Sequence, residues 1–304
     1  MNVLFRFDAS EALRRRVTAL STSGISVVCC PESEDSGYGR LLPQAEVLWH
    51  VLKPVTADHI EAAPKLRLIQ KIGSGVNTIA LDAARHRGIA VCNLPGTNSR
   101  AVAEMALLLM LACLRRLPEL HSSVKTNQWE KAWALQDSLG ELGGRIVGLV
   151  GYGAVGRILS PMLEAMGARV LFWSRSAKNA ELDALLAASD IVSLHLPLTP
   201  ETERIVDPRK MKAGAILINT ARGGLVHEGH LLDALRTGHL AAAGLDVYAA
   251  EPPPALHPLL SLPNVICAPH LAWLTQQTLE RSLAVALDNV ERLRDGRDLL
   301  HRVV

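Results

Sequence analysis

The sequence lacks an excess of charge of either sign. Its 32 Lys and Arg residues against 30 Asp and Glu residues leave a formal net charge of +2. A chain so close to neutral has no electrostatic basis for binding nucleic acid or an anionic membrane surface. The basic cluster Arg14, Arg15 and Arg16 follows Glu11 on a predicted helix, and we interpret it as a solvated helix face.

Long hydrophobic runs are also missing. The longest apolar stretch, residues 101–114, is interrupted by Glu104 and is too short to span a bilayer. The first ten residues, MNVLFRFDAS, predict a short strand and not a signal peptide. We therefore expect no membrane partner, and we interpret residues 101–114 as a core or interface helix.

Cysteine is scarce and shows no pattern. The chain has five cysteines, which are Cys29, Cys30, Cys92, Cys113 and Cys267. Their spacing matches neither a metal-ligand motif nor an even disulfide framework. Because Cys29 and Cys30 are adjacent at the end of an apolar run, we expect them to be buried or half-buried thiols. We expect no metal site, and a reducing cytoplasm as the location.

A regular alternation of short β-branched runs with helical patterns is present from end to end. Such alternation favours the α/β class, with parallel sheets built from βαβ units. Strands are predicted at residues 3–7, 27–30, 47–50, 68–71 and 90–92, and then at 146–150, 168–174, 190–196, 215–219, 242–247 and 264–269. Helices are predicted at residues 9–20, 81–87, 101–117, 154–166, 181–188, 228–236 and 275–294, and a polar loop is predicted at 118–144.

A glycine-rich turn opens the second set of strands and helices. Gly151, Gly153 and Gly156 form the pattern GxGxxG between the strand 146–150 and the helix 154–166. The first glycine permits a tight turn, the second lets the backbone approach a pyrophosphate, and the third allows close packing of helix on strand. The alternative is a turn without a ligand, but the strand before it and the helix after it favour dinucleotide binding.

The end of the next predicted strand discriminates between the two nicotinamide cofactors. An Asp or Glu at this place binds the ribose 2′-hydroxyl of NAD. This chain has Ser174 there, followed by Arg175. Because Ser can hydrogen-bond a 2′-phosphate and Arg can neutralise it, we predict that NADP(H) is preferred. In the alternative, Arg175 stacks on the adenine and NAD(H) is used as well.

Three candidate catalytic residues follow predicted strands in the second half of the chain. They are Arg222 in NTARGG, Glu251 in AAEP and His270 in APH. An Arg holds a carboxylate through two parallel hydrogen bonds, and a His oriented by a carboxylate exchanges a proton near neutral pH. The ordinary alternatives are a loop-bracing Arg for Arg222 and a core His for His270. With the glycine turn they indicate hydride transfer between a nicotinamide and a 2-keto or 2-hydroxy acid.

Two further segments are candidate binding sites. Asp246, in GLDVY, ends a predicted strand and is placed to hydrogen-bond the nicotinamide carboxamide, with a turn cap as the alternative. The turn Gly73-Ser74-Gly75 follows the strand 68–71, and its backbone N–H groups are candidates for binding the substrate carboxylate. An ordinary turn between strand and helix is the alternative there.

These segments together resemble the D-isomer-specific 2-hydroxyacid dehydrogenase family. The resemblance covers nearly the whole chain. It is carried by KIGSGVNTI (71–79), NLPGTNSRAVAE (93–104), GLVGYGAVGR (148–157), SLHLPLTPET (193–202), INTARGG (218–224), GLDVYAAEP (244–252) and APH (268–270). Within the family, WSRS (173–176) most resembles the NADPH-using glyoxylate and hydroxypyruvate reductases.

The resemblance implies a fold of two doubly wound parallel-sheet domains. A flavodoxin-like substrate domain, residues 1–95 and 276–304, would be interrupted by a Rossmann cofactor domain, residues 96–275, and two chains would pair as a homodimer through the cofactor domains. Arg222 would bind and polarise the substrate, His270 would be the acid/base and Glu251 would orient it. Ser74 and Gly75 would present backbone donors to the substrate carboxylate. The implied cofactor contacts are Ser99, Gly151, Gly153, Ala154, Val155, Gly156, Ser174, Arg175, Thr220 and Asp246.

The chain departs from the family pattern in a few places. Trp273 stands where many members have a small residue, so we expect it to narrow or reshape the nicotinamide end of the pocket. His227 replaces an Asp that is common in the family, which we interpret as a changed helix cap. Asn77 also replaces an Asp that is common in the family.

The leading hypothesis is an NAD(P)H-dependent reductase of glyoxylate or hydroxypyruvate. A phosphite dehydrogenase on the same scaffold is one alternative, although it needs a pocket richer in cations than the sequence shows. A dinucleotide-sensing protein without turnover is the other. The presence of Arg222, Glu251 and His270 together argues against it, because a sensor does not need all three.

Overall fold

The computed structural model describes residues 1–304, the whole chain. Contacts between residues divide it into two compact units. Unit 1 comprises Met1–Asn98 and Thr275–Val304, and unit 2 comprises Ser99–Leu274. The chain thus leaves unit 1 once and returns to it at Thr275.

Unit 1 is built around a five-stranded parallel sheet in the order β2-β1-β3-β4-β5. This order is that of the flavodoxin-like doubly wound folds. Its strands are β1 (Asn2–Arg6), β2 (Ser26–Cys30), β3 (Val47–His50), β4 (Leu68–Lys71) and β5 (Ala90–Cys92). The helices between them are α1 (Glu11–Thr18), α2 (Asp35–Leu41), α3 (Ala57–Glu61) and α4 (Leu81–His86).

Unit 2 has a six-stranded parallel sheet in the order β11-β10-β9-β8-β6-β7. Its strands are β6 (Ile146–Val150), β7 (Arg169–Trp173), β8 (Ile191–Leu194), β9 (Ala215–Asn219), β10 (Leu240–Leu245) and β11 (Val265–Cys267). Its helices are α5 (Ser99–Leu114), α6 (Leu117–Lys125), α7 (Trp129–Trp133), α8 (Ala154–Ala165), α9 (Leu182–Ala188) and α10 (Glu228–Arg236). Both units are therefore α/β layers on parallel sheets.

Burial on both faces explains the continuous apolar character of the unit 2 strands. In β6, Val147 and Leu149 pack into one hydrophobic cluster, while Val150 belongs to a second cluster on the opposite side of the sheet. A strand with two covered faces has no polar side, so its sequence does not alternate.

The last helix, α11 (Gln276–Arg294), belongs to unit 1. Thr275 caps its first turn by accepting a hydrogen bond from the backbone N–H of Thr278. Asn289, which is fully buried, donates to the side chain of Gln70 on β4 at 2.7 Å and accepts from the backbone N–H of Leu300 at 2.8 Å. These bonds join the helix and the chain after it to the central sheet.

The predicted polar loop at 118–144 is wrong. This segment contains α6, α7 and a short 3₁₀ turn at Gln136–Ser138. The predicted helix 101–117 is also too long, because α5 ends at Leu114 and Arg116 takes a left-handed conformation with φ of 48°. Pro118 then stands in the first turn of α6, where its missing N–H costs nothing. Further 3₁₀ turns lie at Leu42–Gln44, Pro208–Lys210, Gly223–Leu225 and Pro258–Ser261.

None of the helices combines the length and the hydropathy needed to cross a membrane. No group of three or more His, Cys, Asp and Glu side chains converges in a way that could hold a metal ion.

Candidate active site

The glycine turn of unit 2 leaves room for a ligand to approach the protein backbone. Gly151 has φ of 108°, and a Cβ there would lie 2.4 Å from the carbonyl oxygen of His195. A Cβ on Gly156 would lie 2.7 Å from the carbonyl oxygen of Gly151, so α8 packs directly on the turn. Gly153 is different, since a Cβ there would meet nothing within 4 Å. The turn is therefore closed toward the protein and open at Gly153.

The N-terminus of α8 starts at this open position. Gly153 is its N-cap residue, no side chain caps it, and Ala154 beyond it is exposed. The first N–H groups of a helix have no partner within the helix and attract anionic groups. This end of α8 is therefore a candidate site for a pyrophosphate, with Ala154 and Val155 as the candidate contacts.

The end of β7 carries no carboxylate. Ser174 and Arg175 follow the last strand residue, Trp173, and the next acidic residue along the chain is Glu181. The Ser174 hydroxyl donates to the carbonyl oxygen of Ala177 at 2.6 Å and accepts from its N–H at 3.0 Å. The Ser174 side chain is thus bonded within its own turn. Arg175 is the first charged residue after the strand.

Thr220 supplies an unpartnered polar atom beside β9. It directly follows the last strand residue and is buried, and its hydroxyl oxygen has no hydrogen-bond partner within the protein. A buried hydroxyl without a partner is costly, so a ligand that pairs with it is favoured. Ser99, the first residue of α5, is buried as well.

Arg222, Glu251 and His270 follow three neighbouring strands. They come after β9, β10 and β11, which lie side by side and parallel in the sheet. The carboxyl ends of parallel strands meet at one edge of the sheet, where ligands of open α/β folds bind. The fold therefore gathers three residues that are far apart in the sequence.

Glu251 is bonded through both carboxylate oxygens. One oxygen lies 2.6 Å from Nδ1 of His270, and the other accepts from the backbone N–H of Tyr248 at 3.0 Å. Burial alone would raise the pKa of Glu251, but the bonds from His270 and Tyr248 and the charge of Arg222 lower it overall. An ionised Glu251 accepts a hydrogen bond from Nδ1–H of His270, which assigns proton exchange with a substrate to Nε2.

Arg222 is held by its own turn. Its Nη1 donates to the carbonyl oxygen of Ala221 at 2.6 Å, and its carbonyl oxygen accepts from the Asn219 side chain at 2.9 Å. Burial lowers the pKa of Arg222, while the carboxylate of Glu251 raises it. A desolvated guanidinium attracts an anionic substrate more strongly than an exposed one does.

Gly223 fixes the position of the Arg222 turn against the loop that leads to Glu251. A Cβ on Gly223 would lie 2.0 Å from the carbonyl carbon of Tyr248. The same Tyr248 donates its N–H to Glu251. Asn219, Gly223 and Tyr248 are absent from the sequence prediction, although an Asn at a strand end before a turn is a recognisable signal.

The remaining predicted positions are placed as follows. Ser74 is exposed and Gly75 half-buried in the turn after β4 of unit 1, where the Ser74 carbonyl accepts from Asn93 at 2.8 Å. His227 is the N-cap of α10 and its ring accepts from the N–H of His230, so the predicted changed cap is present. Trp273 is buried at 7% exposure. The Asp246 carboxylate is bonded to backbone N–H groups of the turn after His270, as in the predicted turn cap.

The chain is similar to known proteins over most of its length. Residues 107–272 match the family described as D-isomer specific 2-hydroxyacid dehydrogenase, NAD binding domain. A hydroxypyruvate reductase of Thermotoga maritima is 37% identical over 303 residues, which cover 95% of this chain and 97% of the relative. The crystal structure of the TT0316 protein from Thermus thermophilus superposes with a TM-score of 0.89 at 36% identity, with 100% of each chain covered.

A D-3-phosphoglycerate dehydrogenase of Archaeoglobus fulgidus is 40% identical over 251 residues. That alignment covers 78% of this chain but 47% of the relative, so this chain spans about half the length of that enzyme. The match over most of the chain, together with the dinucleotide turn and the Arg, Glu and His at the strand ends, identifies an oxidoreductase that transfers hydride. The chain belongs to the D-isomer specific 2-hydroxyacid dehydrogenase family.

Proposed function

We propose that the protein is an NAD(P)H-dependent reductase of small 2-keto acids, with glyoxylate or hydroxypyruvate as its substrate. The 2.6 Å contact between Glu251 and His270 carries the proposal, because it makes the imidazole a positioned proton donor. The relative from Thermotoga maritima that aligns over nearly its whole length is named a hydroxypyruvate reductase.

Each of the three residues has a separate task in this proposal. Arg222 binds the substrate carboxylate and polarises the keto oxygen, since a guanidinium offers several donors in a fixed plane. A bound reduced nicotinamide supplies the hydride. His270 gives a proton from Nε2 to the oxygen that gains negative charge, and Glu251 stabilises the imidazolium before the transfer. The turn at Ser74 and Gly75 in unit 1 is a separate candidate for binding a carboxylate through its backbone N–H groups.

The expected narrowing of the pocket by Trp273 bears on the size of the substrate in this proposal. This indole is buried three residues after His270 and occupies volume that a small residue would leave open. The proposal therefore favours glyoxylate and hydroxypyruvate over keto acids with aromatic side chains.

The cofactor in this proposal is NADP(H) by preference, with NAD(H) also accepted. Arg175 supports it, because it follows a strand end without a carboxylate that would repel a 2′-phosphate. Replacement Arg175→Ala is expected to raise the KM for NADPH by about 10- to 100-fold, since a charge-assisted hydrogen bond is worth roughly 1.5–3 kcal/mol. The KM for NADH should stay the same, and equal effects on both cofactors would contradict the assignment.

We further propose a homodimer formed through unit 2. Five apolar side chains on α5, α6 and α7 are half or more exposed, which is costly for a monomer. They are Leu108 (52%), Leu117 (50%), Val124 (55%), Trp129 (60%) and Trp133 (66%). Analytical ultracentrifugation should give twice the mass of the chain for the wild type. The double variant Trp129→Glu/Trp133→Glu should give the mass of a single chain. A wild type that sediments as a monomer at micromolar concentration would refute it.

All five cysteines are free thiols, and three of them are buried. This fits the reducing cytoplasm that we propose as the location of the protein.

The test of the proposal is absorbance at the reduced-nicotinamide band, with NADPH and then NADH, against glyoxylate, hydroxypyruvate, pyruvate and phenylpyruvate. Turnover of glyoxylate or hydroxypyruvate with the highest kcat/KM supports it. Preference for phenylpyruvate would refute the substrate assignment. Reduction of NAD(P)⁺ by phosphite, without turnover of any keto acid, would replace it with phosphite oxidation.

A further inference from the structure

The turn that carries His270 has an unusual backbone. His270 has φ of 57°, in the left-handed region that residues with a Cβ rarely occupy. Its N–H donates to the carbonyl oxygen of Asp246 at 2.8 Å. Conformations of this kind persist only where the surroundings impose them. The neighbouring groups must therefore include one that stabilises this turn.

Asp246 bonds to the same turn through its side chain. Its two carboxylate oxygens accept from the N–H of Leu271 at 2.9 Å and from the N–H of Ala272 at 2.8 Å. Three consecutive backbone N–H groups, those of residues 270–272, thus all donate to one residue. Consecutive amides of this kind form a concave site for an anion, and here the anion is an internal carboxylate.

The Asp246 side chain has no exposure to solvent. Burial raises the pKa of its carboxyl group, and the hydrogen bonds from Ala272 and Leu271 act in the opposite direction. The pKa of Asp246 remains raised overall, so the backbone amides offset part of the desolvation of the charged form. A neutral side chain cannot replace it, because an amide offers only one oxygen as an acceptor.

We propose that Asp246 is the positioning residue for His270, and that it acts by holding the turn 270–272 in its left-handed conformation. The inference rests on the proposed proton donation by His270. Loss of the carboxylate would let the turn relax toward ordinary backbone angles and would move Nδ1 away from Glu251. The sequence suggests a different role, a hydrogen bond to the nicotinamide carboxamide, and that role has a different experimental signature.

The first experiment compares two dinucleotides in the full-length protein. One is the natural cofactor, and the other carries an acetyl group in place of the carboxamide and so lacks its NH₂ donor. Asp246→Asn is expected to lower kcat about a hundredfold with both, as a misplaced catalytic group does, with the KM for the dinucleotide unchanged. A loss confined to the natural cofactor, or a raised KM with kcat unchanged, would overturn the proposal in favour of the carboxamide contact.

The second experiment needs no turnover and so separates this inference from the proposed function. Amide hydrogen exchange of Leu271 and Ala272 should be slow in the wild type and at least tenfold faster in Asp246→Asn, because each amide loses a buried acceptor. Asp82→Asn is the matched control, since Asp82 is exposed on α4, and it should leave exchange and kcat unchanged. If Asp246→Asn does not fold, amide hydrogen exchange in the wild type alone tests the proposal. Unprotected amides at residues 271 and 272 would then refute it.

Discussion

Arg222 is held in surroundings that a lysine cannot reproduce. The guanidinium is largely desolvated, donates to the carbonyl oxygen of Ala221, and lies near enough to Glu251 for that carboxylate to raise its pKa. A planar guanidinium can keep this bond and still present further donors to a carboxylate, whereas an ammonium group is a single point. The role of Arg222 therefore depends on shape as well as on charge.

Arg222→Lys is accordingly expected to lower kcat/KM for the keto acid by roughly a hundredfold, the loss seen when one transition-state donor is removed. Initial rates over a range of keto acid concentrations measure it. Arg85→Lys, on the surface of unit 1, is the control and should behave as the wild type. A kcat/KM of Arg222→Lys within threefold of the wild-type value would contradict the assigned role.

At the scale of elements, close packing between loops positions the catalytic groups. A Cβ on Gly223 would collide with the carbonyl group of Tyr248, and the N–H of Tyr248 donates to Glu251. A methyl group at residue 223 would collide with backbone, which cannot move as a side chain tip can. The turn of Arg222 and the loop of Glu251 are thus one packed unit.

Gly223→Ala is expected to lower the free energy of unfolding by about 1–3 kcal/mol, as overpacking does, and to reduce kcat as well. Urea unfolding and initial rates measure both. In Gly39→Ala the new Cβ meets nothing within 4 Å on α2, so stability should be unchanged or higher by about 0.5–1 kcal/mol. Wild-type kcat and stability in Gly223→Ala would show that the two loops are not coupled.

Elements with strong apolar runs could be predicted from the sequence, and short helices could not. The predicted strands 47–50, 68–71, 90–92, 146–150 and 215–219 coincide with β3, β4, β5, β6 and β9. By contrast, the sequence does not predict α2, because this helix contains Gly37 and Gly39, and glycine is a poor helix former. The helices α6 and α7 were predicted as loop because their polar composition resembles one. Tertiary contacts, and not local propensity, decide such segments.

The same limit applies to the candidate site. The positions of Arg222, Glu251 and His270 after strands follow from motif order, and their adjacency follows from the parallel sheet. The hydrogen bonds from Leu271 and Ala272 to the Asp246 carboxylate depend on the left-handed turn at His270. A left-handed turn is usually indicated in a sequence by glycine, and this segment has none. The sequence therefore indicates the chemical groups but not how they are held.

At the scale of the whole molecule, buried histidines link stability to pH. His195 is half-buried in unit 2 with its Nδ1 atom shielded from solvent, and desolvation of the ring lowers its pKa to about 4. In unit 1, burial and the charges of Lys71 and Arg6 lower the pKa of His50 well below its usual value. Both rings are neutral in the folded protein and gain a proton more easily when it unfolds. Their contribution to stability is therefore complete above pH 6.5 and is lost as the pH falls.

For His195 the loss is expected between pH 6.5 and about 4. It should reach roughly 3 kcal/mol of the free energy of unfolding of unit 2, at 1.36 kcal/mol for each pKa unit. Urea unfolding at pH 7.5 and at pH 4.5 measures it. His195→Gln should show a smaller loss over this range than the wild type, whereas His121→Gln, on the surface, should match the wild type. An equal loss in His195→Gln would assign the acid sensitivity to other groups.

The central claim is that His270, oriented by Glu251, donates the proton as hydride reaches a small 2-keto acid. Its most direct test is the initial rate of NADPH oxidation with hydroxypyruvate in the wild type, in His270→Ala and in the surface control His121→Ala. We expect steady turnover in the wild type and the control, and a fall of about 10²–10⁴-fold in His270→Ala, as the loss of an acid catalyst costs. A His270→Ala enzyme that keeps near wild-type turnover would contradict the account.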